Sequence, residues 1–278
     1  MTRRGSRCSA GRENSQGLSA ADRATRWPTR KDDNRAPCAD PSRLPPCRQP
    51  ATVSSPERPA SPAATAVEAS AVVLICFGLF VLWSLSAAAA GLRAGGGFSD
   101  GAFTEIIVVE CLLGGATLWF LRGRGHAVRD LLPVPSGWGS LVGVALCFAC
   151  LAAWMLVSSA IAPAEPVAQP ASQMLALQRP TFAMILLASA VNGLYEETVL
   201  VGYLQRGFSG LGMSTALGLS LLVRLLYHLH QGPVGALSVL VFGLVAGLFY
   251  WRTRQLWPVV VAHALQDVVS FSYGSYGG

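Results

Sequence analysis

The stretch LYEETVLVGYLQ, residues 194–205, places two adjacent carboxylates, Glu196 and Glu197, inside one of the most apolar parts of this chain. A charged side chain near the centre of a bilayer costs roughly 3 kcal/mol on insertion scales, so such residues are rare and usually functional. A soluble core is no more favourable, because an unpaired buried carboxylate is costly there too. The pair therefore indicates a buried site with a chemical purpose.

The composition of the 278-residue chain indicates a polytopic membrane protein, since 52% of its residues are hydrophobic and only 13% are charged. A helix that spans a bilayer needs about 20 mainly apolar residues. Seven stretches approach this requirement: residues 67–92, 103–121, 138–162, 181–205, 213–229, 234–251 and 256–270. We therefore predict an all-α fold, a membrane bundle of about seven transmembrane helices over residues 67–278.

The first 66 residues have a different character. They hold 12 Lys/Arg and 6 Asp/Glu, whereas the remainder holds 9 of each, so the net charge of +6 lies entirely here. Rich in Arg, Pro and Ser, this segment cannot bury enough apolar surface to fold alone, which predicts a disordered cytoplasmic tail. The alternative is a start codon placed too early, with the true beginning near Val67. The neutral remainder gives no sign of nucleic-acid binding.

The arginines between the predicted spans orient the bundle, because cytoplasmic loops carry an excess of basic residues. The loops opposite the tail carry only Arg93 and Arg179. Those on the tail side hold Arg122, Arg124, Arg129, Arg206, Arg252 and Arg254. We therefore expect a cytoplasmic N-terminus and an external C-terminus in a multi-pass cell-membrane protein.

The polar residues within the later spans have informative spacings. Arg224 and His228 are four residues apart, as are His263 and Asp267, so each pair shares one helix face. At 1.5 Å per residue, Glu196 lies roughly 14 Å and His263 roughly 10 Å from the cytoplasmic ends of their spans, whereas His228 lies roughly 22 Å in. We expect Glu196 and His263 to meet, and His228 to join them only if its helix is tilted.

Such a set suits general-base chemistry. A carboxylate in a water-accessible cavity can take a proton from water and later return it, and a histidine can orient that water. A second histidine can hydrogen-bond the developing oxyanion. Since no serine or cysteine stands at an obvious nucleophile motif, the predicted nucleophile is water.

Several other polar or aromatic residues are interpreted as structural. Glu105 and Glu110 are predicted to be interfacial, near the external end of their span. The pairs Gly139/Gly143 and Gly243/Gly247 have the G-x-x-x-G spacing that lets helices approach closely. Packing or interfacial anchoring is predicted for Tyr195, Tyr203, Tyr227, Trp251 and Trp257.

Taken in order, the polar motifs resemble those of the CPBP family of intramembrane proteases, the CAAX-processing and bacteriocin-self-protection group. That family shows E-E-x-x-x-R, F-x-x-x-H and then H-x-x-x-N or H-x-x-x-D on successive membrane helices. This chain has Glu196-Glu197 followed by TVLVG, then Arg224-x-x-x-His228, then His263-x-x-x-Asp267. The resemblance covers residues 181–270, which would form the catalytic core.

The resemblance implies a role for each motif residue. Glu196 would activate water with His228, while His263 and Asp267 would form the oxyanion site and Glu197 would support them. The implied substrate is a membrane-associated peptide or protein. No cofactor is certain: zinc held by Glu196, His228 and His263 is an alternative, since three N/O ligands plus water form a catalytic zinc site. The absence of an H-E-x-x-H helix favours a metal-free mechanism.

Two positions depart from the family pattern. Val201 replaces the arginine of the first motif, and Arg224 replaces the phenylalanine of the second. We hypothesise that the arginine has moved to the neighbouring helix, where it forms an ion pair with Glu197. The composition suggests a bacterial source with a GC-rich genome, in which prenylated substrates are not expected.

Two other functions stay open. One is a non-catalytic immunity or scaffold protein of the same family. The other is a proton-coupled transporter, because intramembrane Glu, His and Asp chains also mark ion pathways. The single polar cluster and the lack of a visible inverted repeat count against transport.

Overall fold

A computed structural model describes residues 65–90, 98–161 and 179–276. Within these ranges the chain is helical and contains no strand. The long helices are α1 (Ala66–Ala89), α2 (Asp100–Gly123), α3 (Gly137–Ile161), α4 (Phe182–Glu197), α5 (Met213–His228), α6 (Gly232–Thr253) and α7 (Trp257–Tyr276). The predicted tail lies outside the described residues except for its last two positions, as does Arg93 in the loop after the first predicted span.

Among the described residues, five helical stretches are long and apolar enough to cross a membrane. They are α1, α2, α3, α4 with its π-helical continuation to Gln205, and the stretch Met213–Thr253. The last of these comprises α5 and α6, which are divided by a 3-10 turn at Leu229–Gln231. The predicted all-α, multi-pass membrane bundle is confirmed, and the predicted number of seven crossings is approximate.

Local sequence explains where several helices begin. Thr65, Ser99 and Thr181 are hydroxyl N-caps of α1, α2 and α4, each accepting a hydrogen bond from the backbone N–H three residues later. Glycines with positive φ, Gly212 at +91° and Gly232 at +81°, stand at the starts of α5 and α6, where other residues would be strained.

The helix that carries the glutamate pair lies at the centre of the bundle. In α4 and its continuation 61% of the residues in the apolar window are buried, against 17–33% in the other four candidate spans. The outer helices instead expose large apolar side chains, such as Trp119 at 80% and Leu156 at 72%. The two acids are therefore surrounded by protein and not by lipid.

Glycines allow the helices at the centre of the bundle to approach one another closely. A Cβ atom on Gly193 of α4 would lie only 3.1 Å from the backbone nitrogen of Ala264 on α7. On α6, a Cβ atom at Gly243 would meet the Cδ2 atom of Leu221 at 2.8 Å and the Cδ atom of Arg224 at 3.1 Å, so this glycine makes room for the arginine. The predicted packing role is thus confirmed for Gly243.

Candidate active site

Arg224 joins the two glutamates. Its guanidinium donates from Nη2 to Glu197 Oε1 at 2.6 Å and from Nη1 to Glu196 Oε2 at 3.2 Å. All three side chains are buried, with Glu197 fully so. The ion pair predicted between Arg224 and Glu197 is present, and the same guanidinium also compensates the charge of Glu196.

The hydroxyl of Tyr227 is a second donor to Glu196. It lies one helical turn from Arg224 on α5 and donates to Glu196 Oε2 at 2.5 Å. Tyr227 stacks on Phe77 of α1, with ring centroids 4.7 Å apart, which holds the phenol in place. Because Arg224 and Tyr227 both donate to Oε2, Oε1 is the oxygen left for a ligand or a water.

His263 meets the glutamates from α7, as its predicted depth indicated. Its Nδ1 atom donates to Glu197 Oε1 at 2.5 Å, since a carboxylate can only accept. The Nε2 atom lies 3.6 Å from Asp267 Oδ2 and 3.8 Å from Glu196 Oε2. The side chains of Glu196, Glu197, His263 and Asp267 therefore form one cluster.

Asn192 completes this cluster from α4, one turn before Glu196. Its Nδ2 atom donates to Asp267 Oδ2 at 2.8 Å and lies 3.5 Å from His263 Nε2. An amide nitrogen carries two hydrogens; when His263 is protonated on both ring nitrogens, its Nε2 atom cannot accept, and the second amide hydrogen is free for a ligand. Sequence analysis gave Asn192 no role.

His228 stands apart from the cluster, as the depth argument anticipated. Its Nδ1 atom lies 3.2 Å from the carbonyl oxygen of Arg224 on its own helix. A carbonyl can only accept, so this contact places a proton on Nδ1 and leaves Nε2 as an acceptor. His228 reaches the other groups across the cavities that it lines.

Two cavities adjoin at this site. Cavity A, of about 260 Å³, is lined by Asn192, Arg224, His228, His263 and Asp267 among others. Cavity B, of about 560 Å³, is lined by Glu110, Asn192, Glu196, Tyr227 and His228 among others. Asn192 and His228 line both, so they form a shared wall between Glu196 on one side and the His263–Asp267 pair on the other.

The segment directly after the glutamates is a π-helix, Thr198–Gln205, and all eight of its residues are buried. A π-helical turn within an α-helix is rare and often occurs at a functional site. Val201, which replaces the family arginine, is 2% exposed and belongs to the apolar core. The cation that contacts the glutamates in this structure is Arg224 of α5.

The donor atoms of the cluster decide whether it could hold a metal. Among the described residues, Glu196, Glu197 and His263 offer ligand atoms within 4.8 Å of one another. However, Glu196 Oε2 and Glu197 Oε1 already accept from the guanidinium of Arg224, and His263 Nδ1 is bonded to Glu197. The suggested zinc ligand His228 is not part of this group. A dication beside a buried guanidinium would be repelled, so the arrangement fits a metal poorly.

Glu110 differs from its prediction. It is 4% exposed and not interfacial, and its Oε2 atom has no hydrogen-bond partner in the described structure. The reason is packing: a Cβ atom on Gly114, one turn along α2, would lie 3.2 Å from the ring of Tyr195 on α4. This face of α2 is therefore covered by α4. Glu105 is exposed.

A second buried polar group lies at the beginning of α1. Glu68 Oε1 accepts from the Tyr203 hydroxyl at 2.8 Å and contacts His126 Nε2 at 2.7 Å, while Oε2 lies 3.3 Å from Arg124 Nε. Sequence analysis missed this group. The sequence signal available was Glu68 at the start of the first apolar stretch, together with the basic residues Arg124 and His126 directly after the second.

Comparison with known proteins supports the resemblance. Residues 178–269 match the family described as Type II CAAX prenyl endopeptidase Rce1-like. The match contains all three motifs, covers about a third of the chain, and confirms the resemblance to CPBP intramembrane proteases. Searches of curated proteins and of solved structures found no match. In general terms, these findings support a multi-pass membrane protein of the CAAX-protease type.

Proposed function

We propose that this chain is an intramembrane endopeptidase that hydrolyses a peptide bond of a membrane-associated peptide or protein with water as the nucleophile. The observation that carries the proposal is the unequal environment of the two glutamates. Glu197 is enclosed between Arg224 and His263, whereas Glu196 lines cavity B beside His228. Glu197 therefore balances the positive charge of its two basic neighbours, whereas Glu196 is accessible to water in cavity B.

Glu196 acts as the general base in this mechanism. A water bound at Oε1 gives one proton to Glu196, and Nε2 of His228 accepts the second hydrogen and fixes the direction of attack. The resulting hydroxide attacks the peptide carbonyl carbon. Glu196 then returns its proton to the leaving amine as the C–N bond breaks, so the base is regenerated and no metal step is required.

Asn192 and His263 stabilise the oxyanion. The second Nδ2 hydrogen of Asn192 points to a carbonyl oxygen bound at the shared wall, and His263, as an imidazolium, donates from Nε2. Asp267 accepts from Asn192 and lies 3.6 Å from His263 Nε2. Since an ionised carboxylate cannot donate, Asp267 orients these two donors and does not itself hold the oxyanion.

The orientation in the membrane follows the arginines. Arg124, Arg206 and Arg254 stand at the ends of α2, the π-helix and α6. We propose that this end of the bundle is cytoplasmic, with the C-terminus external. The partners in this account are the lipid bilayer and a membrane-associated peptide substrate, with no nucleic acid.

The proposal is tested by incubating purified protein in detergent with a library of membrane-associated peptides, with and without a chelator. Wild type is compared with Glu196→Gln and with the control Arg252→Gln, which removes an exposed charge at the end of α6, outside both cavities. Circular dichroism verifies that all three proteins are folded. We expect cleavage by wild type and the control, none by Glu196→Gln, and no effect of the chelator.

Each alternative has its own outcome. Loss of wild-type cleavage on chelation would reassign the site to zinc chemistry. No cleavage by folded wild type would indicate a non-catalytic immunity or scaffold protein. Proton movement into vesicles that depends on Glu196, without cleavage, would indicate a transporter.

A further inference from the structure

A third cavity lies at the arginine-rich end of the bundle, away from the glutamate cluster. This basic cavity, of about 530 Å³, is lined by three arginines, Arg129, Arg206 and Arg254. The one acid in its wall is Asp130, whose carbonyl oxygen accepts from Arg206 Nη1. The lining side chains therefore carry a net charge of about +2 at neutral pH.

Two of these arginines are free to take an anion. The ion pairs of the described residues involve neither Arg129 nor Arg254. The guanidinium of Arg254 lies over the ring of Trp251, 4.7 Å from its centroid. Stacking occupies the face of a guanidinium and leaves the N–H groups at its edge directed outward, the geometry that binds phosphate oxygens in pairs.

Two helix N-termini reinforce the positive potential. The first turn of α3 contributes Trp138 and Gly139 to the cavity wall, and the first turn of α7 contributes Trp257 and Pro258. Helix N-termini carry partial positive charge and bind anions, phosphate above all. The two first turns are tied together, because Trp257 Nε1 donates to Ser140 Oγ at 2.9 Å.

The cavity also borders apolar surface. Val134 and Trp138 line it and are 78% and 74% exposed. Along α3 the exposed residues Leu141, Phe148 and Met155 repeat every seven positions and so continue this surface into the membrane. A cationic cavity beside a lipid-facing apolar stripe complements an anionic phospholipid, which has a negatively charged head and apolar chains.

We propose that the basic cavity binds the phosphate of an anionic phospholipid, whose acyl chains lie along the exposed face of α3. Basic pockets between transmembrane helices are known to bind anionic headgroups. The lipid would hold the 128–138 segment against the ends of α6 and the π-helix. This site is independent of the proteolytic activity proposed above, and its test does not require a substrate.

The test uses native mass spectrometry of the purified protein with added phosphatidylglycerol or phosphatidylcholine. The double variant Arg129→Gln/Arg254→Gln is compared with the control Arg122→Gln/Arg252→Gln, which removes two exposed arginines from the ends of α2 and α6 but outside the cavity. We expect the cavity variant to retain phosphatidylglycerol roughly tenfold less than wild type, and the control to retain it normally.

Other results would overturn the proposal. Equal loss in both double variants would show general surface attraction and no site. Full displacement of the lipid by millimolar inorganic phosphate would show a site for the free anion. Should the double variant fold poorly, Arg254→Lys keeps the charge but loses the planar fork, and unchanged lipid retention by that variant would also contradict the assignment.

Discussion

Replacing Arg224 by leucine tests whether the site depends on the balance between the guanidinium and the two buried glutamates. The guanidinium is 2% exposed and contacts both buried glutamates, at 2.6 Å and 3.2 Å. Its removal leaves two adjacent buried carboxylates with His263 as their only remaining basic neighbour among the described residues. Breaking a buried ion pair from one side costs about 3–5 kcal/mol, because the remaining charge is buried and uncompensated. We expect Arg224→Leu to lose that much stability, or to fail to fold.

A double-mutant cycle shows whether the loss of stability comes from the direct interaction between Arg224 and Glu197. Adding Glu197→Gln to Arg224→Leu removes one of the stranded charges, so the double variant is expected to recover about 1–3 kcal/mol relative to additivity. The assay is reversible unfolding in mixed micelles, followed by circular dichroism. Arg252→Leu, an exposed arginine on α6, is the control and should change stability by no more than about 0.5 kcal/mol.

The reasoning is refuted if Arg224→Leu is as stable and as active as wild type while Glu197→Gln is impaired. Glu197 would then have a role that does not need the arginine. Strictly additive effects in the cycle would also contradict a direct pair.

Three further predictions concern single side chains. Asn192→Ala should lower kcat roughly 10²–10³-fold with little change in KM, as for loss of one oxyanion donor, and a loss confined to KM would contradict that role. Tyr227→Phe removes one donor to Glu196 and should destabilise the protein by about 1–3 kcal/mol in the same unfolding assay; an unchanged stability would show that the hydrogen bond is unimportant. Glu110→Gln replaces a buried acid whose Oε2 atom has no hydrogen-bond partner among the described residues, so stability should be unchanged or higher, and a clear loss would mean that Glu110 has a partner.

The bundle was largely predictable because membrane helices leave a strong signal. Long apolar runs interrupted by glycine and arginine fix the first six helices to within a few residues, whereas α7 extends six residues beyond its predicted end, to Tyr276. The Arg224–Glu197 pair was also predictable, since opposite charges within an apolar bundle have few other partners.

The roles of Tyr227, Asn192 and Glu110 were not predictable in the same way. Each depends on the rotation of a helix about its axis, which is decided by packing against its neighbours. Tyr227 resembles an interfacial anchor in the sequence, yet stacking on Phe77 turns its hydroxyl to Glu196. Glu110 lies near a predicted helix end, yet α4 covers it. The π-helix after the glutamates was likewise not predicted from the sequence.

The most direct test of a glutamate-activated water is hydrolysis of a cleavable peptide in oxygen-18 water, followed by mass spectrometry of product and protein in the first turnover. The account predicts one labelled oxygen in the new carboxylate, no covalent adduct on the protein, and no product from folded Glu196→Gln. An acyl adduct on the wild-type protein, or labelled product from Glu196→Gln at the wild-type rate, would contradict it.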